Sequence, residues 1–340
     1  MTLNHSHRSP VPPVLEDQVR PLWSVMIPTY NCGQYLKATL ESVLQQDPGP
    51  GVMQIMVVDD HSTKDDPESI VREVGGGRIE FFRHPKNVGM TRNFQACLEN
   101  SRGHIVHQLH GDDLVAPGFY QKLQIAFEIH PELGAACTQT MFIDDRDQPL
   151  ELTFLERETS GILDEEFLHR MACCCRIMTP SIVVRRSVYE EMGGFDHRLK
   201  YSSEDWEMWS RIATKYPVWY QAEPLSMYRQ HSSSLTNRNF VNNSYIQDVY
   251  TASLLIHSYF PKALPIEVSK TPGRICAFFE LNAAKAFLKI GELGNARTRI
   301  QNALSYQRSY LVLRSLVGIG LYHLPPALLR SIFRSFEKTT

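Results

Sequence analysis

The sequence predicts an α/β fold: a mixed, mostly parallel sheet flanked by helices, with a C-terminal helical extension. Three observations predict it. Strand-like apolar runs alternate with helical segments from Trp23 to Leu109, joined by short links, the pattern of a sheet with crossover helices. Three of those strands end in polar tips, Pro28-Thr29-Tyr30, Asp59-Asp60 and Asp112-Asp113. In such sheets ligands bind beyond the carboxyl ends of the strands. After Phe240 the pattern turns helical.

Trp23 to Ile27 reads as a short buried strand, broken by Pro28-Thr29-Tyr30-Asn31. A helix follows, with Tyr35, Leu36, Leu40, Val43 and Leu44 on a helical period. Asp47-Pro48-Gly49-Pro50-Gly51 ends it. A second strand, Ile55 to Val58, runs into Asp59-Asp60-His61-Ser62-Thr63. Pro67 to Val74 is helical and stops at Gly75-Gly76-Gly77. A third strand, Ile79 to Phe82, leads to Asn87-Val88-Gly89 and then to a helix bearing Phe94, Cys97 and Leu98 on one face. Ile105 to Leu109 delivers the pair Asp112-Asp113, closed by the turn signal Ala116-Pro117-Gly118. The chain divides into a flexible tail (1–20), an α/β domain (21–240) and a helical region (241–340).

Composition narrows the function. The 340 residues are 43% hydrophobic and 21% charged, ordinary for globular domains. A net charge of -2 offers no electrostatic case for nucleic acid. Seven cysteines without a CxxC pair argue against a zinc knuckle, and the odd count suits reduced cytosolic thiols. The consecutive Cys173, Cys174 and Cys175 read as packing residues. No apolar span is long enough to cross a bilayer. Pro28 to Gly33 supplies no GxGxxG, and there is no GKS or GKT loop, so any nucleotide is gripped in another way.

Adjacent acids at a strand tip raise each other's pKa unless a cation sits between them. Asp112 and Asp113 therefore read as an oxygen-ligand metal site for Mg or Mn, or else as a solvated turn.

In this order and spacing the motifs resemble family 2 glycosyltransferases of the GT-A fold over roughly residues 22–235. Ser24-Val25-Met26-Ile27-Pro28-Thr29-Tyr30-Asn31 resembles the opening strand and Val57-Val58-Asp59-Asp60-His61-Ser62-Thr63 the second. Asn87-Val88-Gly89 with Arg92-Asn93 resembles the third block. Gly193-Gly194-Phe195-Asp196 with Glu204-Asp205-Trp206-Glu207-Met208-Trp209 resembles the acceptor-side block, and Tyr228-Arg229-Gln230-His231 a closing one.

The resemblance implies a Rossmann-like scaffold, a nucleotide-diphosphate sugar donor (UDP-type favoured) and inverting, metal-assisted transfer. Asp60 would pair with the base ring beside Asp59, while Pro28, Thr29 and Tyr30 frame the nucleoside. Arg92 is a candidate contact to the donor phosphate or nucleoside, since its fork matches phosphate geometry. Asp112 and Asp113 correspond to the end of a DxD-type motif, with Asp113 the principal ligand for Mn or Mg. His110 stands where many members carry the first acid, and imidazole suits Mn better than Mg. His231 is a candidate metal or diphosphate contact, next to a Ser232-Ser233-Ser234 segment suited to ordering over the donor. Asp205 is the expected base and Glu204 the second candidate, with Ser202 as the expected helix cap. Thr179-Pro180-Ser181 resembles the strand that floors the acceptor site.

Ala283 to Phe287, Gly291 and Ala296 to Leu304 read as one helical hairpin. Residues 311–336 mix apolar positions with Arg314, Arg330 and Arg334, which suits either a peripheral membrane contact or a packed helix. The expected setting is the cytoplasm, at the inner membrane face, with a glycan or lipid-linked acceptor in surface-polysaccharide synthesis. Two alternatives stand beside this enzyme: a non-catalytic nucleotide-sugar-binding module and a sugar nucleotidyltransferase.

Overall fold

The computed structural model describes residues 7–15, 20–231, 234, 245–260 and 262–307. Its centre is a ten-stranded mixed sheet in the order β3-β2-β1-β4-β9-β6-β10-β5, with β7 on β6 and β8 on β10. The first half alternates as expected: β1 (Trp23–Thr29), α1 (Gly33–Leu44), β2 (Met53–Asp59), α2 (Pro67–Gly75), β3 (Glu80–Arg83), α3 (Met90–Asn100) and β4 (Ile105–Gln108). These four strands pair in parallel. After β5 (Leu114–Val115) and α4 (Phe119–Ile129) come β6 (Ala135–Ile143), β7 (Pro149–Leu152), β8 (Gly161–Ile162) and α5 (Glu165–Cys173). The short β9 (Ile182–Arg185) runs antiparallel between β4 and β6, and β10 (Val218–Arg229) lies parallel to β6. Helices α6 (Arg186–Met192) and α7 (Glu204–Ala213) precede β10.

Alternating strand residues face opposite cores. Trp23, Val25 and Ile27 join α1, α2 and α4 in one cluster. Met26 joins α3, α5 and α7 in the other. Both faces of β1 are buried, so its side chains are mostly apolar without alternation, and buried Ser24 is satisfied by Gln54.

The expected helical hairpin is present as α9 (Ile266–Lys289) and α10 (Leu293–Tyr306), turned at Gly291 with φ 80°. Helix α8 (Tyr245–Tyr259) joins both α9 and α7. No described helix is long and apolar enough to cross a membrane. Residues 311–336, expected to suit a membrane surface, lie outside the described residues.

The N-terminus differs from expectation. Residues 7–15 belong to the expected flexible tail, yet Arg8 is buried and bonds to Glu207 at 3.1 Å and the Tyr259 hydroxyl at 2.6 Å. Val11 enters a core, and Pro10 and Pro12 accept from Gln95 and Arg186. A polar, proline-rich segment with few apolar residues looks like a tail, but here its partners are distant charges and backbone donors.

Candidate active site

The site is built on the carboxyl ends of β1, β2 and β4. The Pro28 carbonyl accepts from Gly111 N–H (3.1 Å) and the Thr29 carbonyl from Asp60 N–H (2.9 Å), joining three strand tips. A Cβ on Gly111 would sit 2.9 Å from Thr29 Oγ1 and 3.0 Å from Cys32 Sγ, so glycine permits this close approach. Pro28 and Thr29 are buried, and Tyr30 is exposed at the rim.

The two acids ending β2 differ. Asp59 is fully buried, accepts from Ser62 and forms a 2.6 Å ion pair with Arg83. Asp60 accepts from the backbone N–H of Val88 (2.6 Å) and Gly89 (3.0 Å) at the start of α3. Burial raises its pKa, against the pull of these two donors. Each Asp60 oxygen keeps a lone pair for a further donor. Arg92, in the first turn of α3, is exposed.

The β4 tip gathers His110, Asp112 and Asp113, whose ligand atoms lie within 4.8 Å of one another. Asp113 Oδ1 accepts from Arg229 N–H (2.9 Å), while Oδ2 is buried without a partner. Asp112 Oδ2 accepts from His231 Nε2 (3.1 Å). Burial drives Asp113 well upward, reinforced by the charge of Asp112. Asp112 also feels burial, but the His231 bond and nearby imidazoles bring it below the ordinary range. Burial and mutual repulsion thus favour the protonated form at Asp113, while the imidazoles favour the charged form at Asp112. His110 stacks on Phe94 at 4.9 Å with Nε2 unpartnered, and burial lowers its pKa. A neutral imidazole, an orphaned buried carboxylate oxygen and a charged carboxylate form a donor set that fits a divalent cation.

Arg229 organises this corner, a role the sequence did not reveal. Its guanidinium accepts nothing and donates to the Asp112 carbonyl (2.7 Å) and the Asp144 carbonyl (2.9 Å), and it pairs with Asp147 at 2.6 Å. It also lies over Tyr35, whose ring packs on His231. Beside them opens a cleft of about 320 Å³ lined by Gln34, Tyr35, Asp145, Asp147, Arg229 and His231. A second cleft of about 330 Å³, near Phe167 and Tyr216, contains none of the expected site residues.

Across the same sheet edge stands Asp205, in the first turn of α7. Antiparallel β9 starts at the edge where β4 ends, so the Thr179–Ser181 turn before it reaches this rim. Thr179 Oγ1 donates to Asp205 Oδ2 at 3.3 Å, and Trp206 N–H donates to Oδ1 at 2.7 Å. Burial raises Asp205 despite both donors. Glu204 is buried with Oε2 unpartnered, and burial plus the Asp205 charge push it well upward. The expected Ser202 cap is not there. Ser203 precedes the helix at φ 65° without a side-chain cap, the Ser202 hydroxyl donates instead to the Tyr245 carbonyl at 3.4 Å, and Asp248 from α8 binds the backbone N–H of Lys200, Tyr201 and Ser202. Cys173, Cys174 and Cys175 are half-buried free thiols.

Residues 24–193 match the model of glycosyl transferase family 2. An uncharacterized protein of Mycobacterium tuberculosis is 30% identical over 64% of this chain and 70% of its own length. An uncharacterized glycosyltransferase of Rickettsia typhi is 26% identical over 64% and 66%. Among solved structures, S. aureus TarS in complex with UDP-GlcNAc superposes with a TM-score of 0.61 at 17% identity, covering 84% of this chain and 81% of that one. The mannosyltransferase PcManGT from Pyrobaculum calidifontis, in complex with GDP-Man and Mn2+, gives 0.54 at 16% identity over 95% and 86%. At these identities the structures support the fold.

Proposed function

Because the chain belongs to glycosyl transferase family 2, we propose that it transfers a sugar from a nucleotide-diphosphate sugar, UDP-type, to a hydroxyl acceptor with inversion. The observation that carries this reading is the donor set at the β4 tip, where His110, Asp112 and Asp113 converge with an orphaned Asp113 oxygen. Asp113 and Asp112 would hold a Mn or Mg ion, with His110 completing the set for Mn. The cation would offset negative charge on the departing diphosphate. His231, bonded to Asp112 and lining the cleft, would contact the donor diphosphate or its metal, while Ser232 and Ser233 of the segment expected to order over the donor lie outside the described residues.

Asp60, fixed by Val88 and Gly89, would accept a ring N–H of the base, and Asp59 would support it through Ser62 and Arg83. Pro28, Thr29 and Tyr30 would frame the nucleoside. Exposed Arg92 would meet the donor phosphate or nucleoside from α3.

Asp205 would take the acceptor hydroxyl proton. Glu204, whose pKa burial and the Asp205 charge push well upward, is the second candidate base. The proposed acceptor is a glycan or lipid-linked sugar, and the proposed setting is the cytoplasm at the inner membrane face. Nucleotide release from UDP-GlcNAc, UDP-glucose and GDP-mannose with Mn2+ tests the reading. Asp205→Asn should lower kcat by about 100-fold or more with donor KM little changed. Asp113→Ala should abolish the Mn2+ dependence. Donor binding without release would leave a nucleotide-sugar-binding module. Pyrophosphate release from a nucleoside triphosphate and a sugar phosphate would mark a nucleotidyltransferase.

A further inference from the structure

Two buried hydrogen bonds of His107, one backbone turn and a part-buried hydrogen bond link the sheet core to Asp205. On β4, His107 is fully buried, with its ring stacked on Phe119 at 4.8 Å. Its Nε2 lies 3.0 Å from the Pro180 carbonyl and its Nδ1 lies 3.1 Å from the Tyr120 hydroxyl of α4. A carbonyl can only accept, so Nε2 carries the hydrogen and Nδ1 accepts from Tyr120. Burial pushes the His107 pKa down to about 3, so the ring stays neutral in this tautomer at working pH.

A neutral, fully bonded core histidine commonly serves packing alone. This one bonds to an irregular turn. Pro180 sits between Thr179 and Ser181, and Ser181 closes the turn through Oγ (2.7 Å) and N–H (2.9 Å) to the Met178 carbonyl. Thr179, at the far side of that turn, donates to Asp205. The sheet therefore holds the turn, and the turn holds the carboxylate.

We propose that Thr179 is a positioning residue for Asp205, and that His107 fixes Thr179 in place through the Pro180 carbonyl. This deepens the assignment of Asp205 as base and rests on it. A carboxylate acting as base must aim one lone pair at the acceptor hydroxyl. With Oδ1 engaged by Trp206 N–H, the Thr179 hydroxyl sets the rotation of the other oxygen. The titratable groups facing Asp205 are Glu204 on the same helix and Cys175 after α5, with Asp248 of α8 behind Glu204. None is cationic, so Thr179 is the side-chain donor that favours the charged form.

The test compares Thr179→Val, Thr179→Ser and His107→Leu with the parent protein. Asp205 is titrated through its carboxyl carbon by 13C NMR, its resonance identified by loss in Asp205→Asn. This readout needs no substrate. Thr179→Val should raise the Asp205 midpoint, and Thr179→Ser should restore it. His107→Leu should raise the midpoint in the parent and have no further effect in Thr179→Val, as a shared route requires. Tyr120→Phe, which removes only the hydroxyl fixing the tautomer, should move the midpoint less in the same direction. It substitutes for His107→Leu if that variant does not fold. In parallel, UDP release from UDP-GlcNAc with Mn2+ should fall about tenfold in kcat for Thr179→Val with donor KM unchanged, and its acidic limb should move to higher pH.

An unchanged midpoint in Thr179→Val overturns the positioning role. Additive effects of His107→Leu and Thr179→Val overturn the route through Pro180. Wild-type UDP release by Asp205→Asn would remove the base assignment while the titration still decides the positioning.

Discussion

At the residue scale, the strand-tip acids show how sequence and burial divide the labour. Two adjacent acids after an apolar run could be read as a cation site or a solvated turn. Burial argues against the solvated turn: Asp113 is 2% exposed with an oxygen that has no hydrogen-bond partner. Its pKa is raised in the folded chain, so without a cation it destabilises the fold increasingly as pH climbs from the unfolded value, about 3.9, through the folded one. Proton and cation then compete for the same oxygen. Mn2+ affinity should tighten about tenfold per pH unit until Asp113 is ionised, then level off. Calorimetric titration with Mn2+ across this range measures the slope, and Asp113→Asn should flatten it. A pH-independent affinity would remove Asp113 from the ligand set. Arg229 was not legible in this way. It serves Asp113 from 116 positions downstream, and nothing in a local motif announces a partner at that distance.

At the element scale, α7 is held more tightly than its apolar stripe requires. Trp206, Met208, Trp209 and Ile212 bury one side. A charged network binds the rest: Glu207 accepts from Arg8 and Arg211 and from the Tyr259 hydroxyl, while Arg211 donates to the carbonyls of Met192 and Gly194. Thus the glycine pair of the acceptor-side block, the N-terminal segment and α8 all converge on the helix bearing Asp205. A Cβ on Gly194 would lie 1.9 Å from Gln95 Oε1, which explains the glycine.

The alternation of strands and helices was readable because each period is local. The docking of residues 7–15 was not, because a buried arginine looks like any other arginine in sequence. Removing Glu207 takes away the carboxylate shared by two buried guanidinium groups, leaving Arg8 with Asp196 and the Tyr259 hydroxyl and Arg211 with backbone carbonyls, whereas removing Arg8 leaves Glu207 with Arg211 and Asp196 with Arg198. Glu207→Ala should therefore cost about 3–5 kcal/mol, and Arg8→Ala about 2 kcal/mol. Urea denaturation of the full chain measures both. The reverse order would show that the N-terminal segment, rather than Arg211, carries the network.

At the scale of the whole molecule, the question is whether the C-terminal helices are an appendage or part of the site. The change to a helical pattern after Phe240 was visible in sequence, and it invited a division into two domains. Asp248 argues for interdependence. Its single Oδ2 accepts from three successive backbone N–H groups, Lys200 at 2.8 Å, Tyr201 at 2.6 Å and Ser202 at 3.2 Å. That stretch leads into Ser203, held at φ 65°, and then into Glu204 and Asp205. A residue with a Cβ pays about 1–2 kcal/mol in the left-handed region, so the approach to Asp205 needs an external restraint, and α8 supplies it. Burial raises the Asp248 pKa and the three donors pull it back, as befits a carboxylate used as a clamp. Asp248→Ala should loosen residues 200–203 first, seen as faster proteolytic cleavage there, and cost about 2 kcal/mol overall. Because the loop carries Asp205 and not the donor site, kcat should fall while donor KM stays near the parent value. Equal loss in both would mean that the clamp supports the whole α/β domain, and an unaltered kcat would make α8 a bystander to the chemistry.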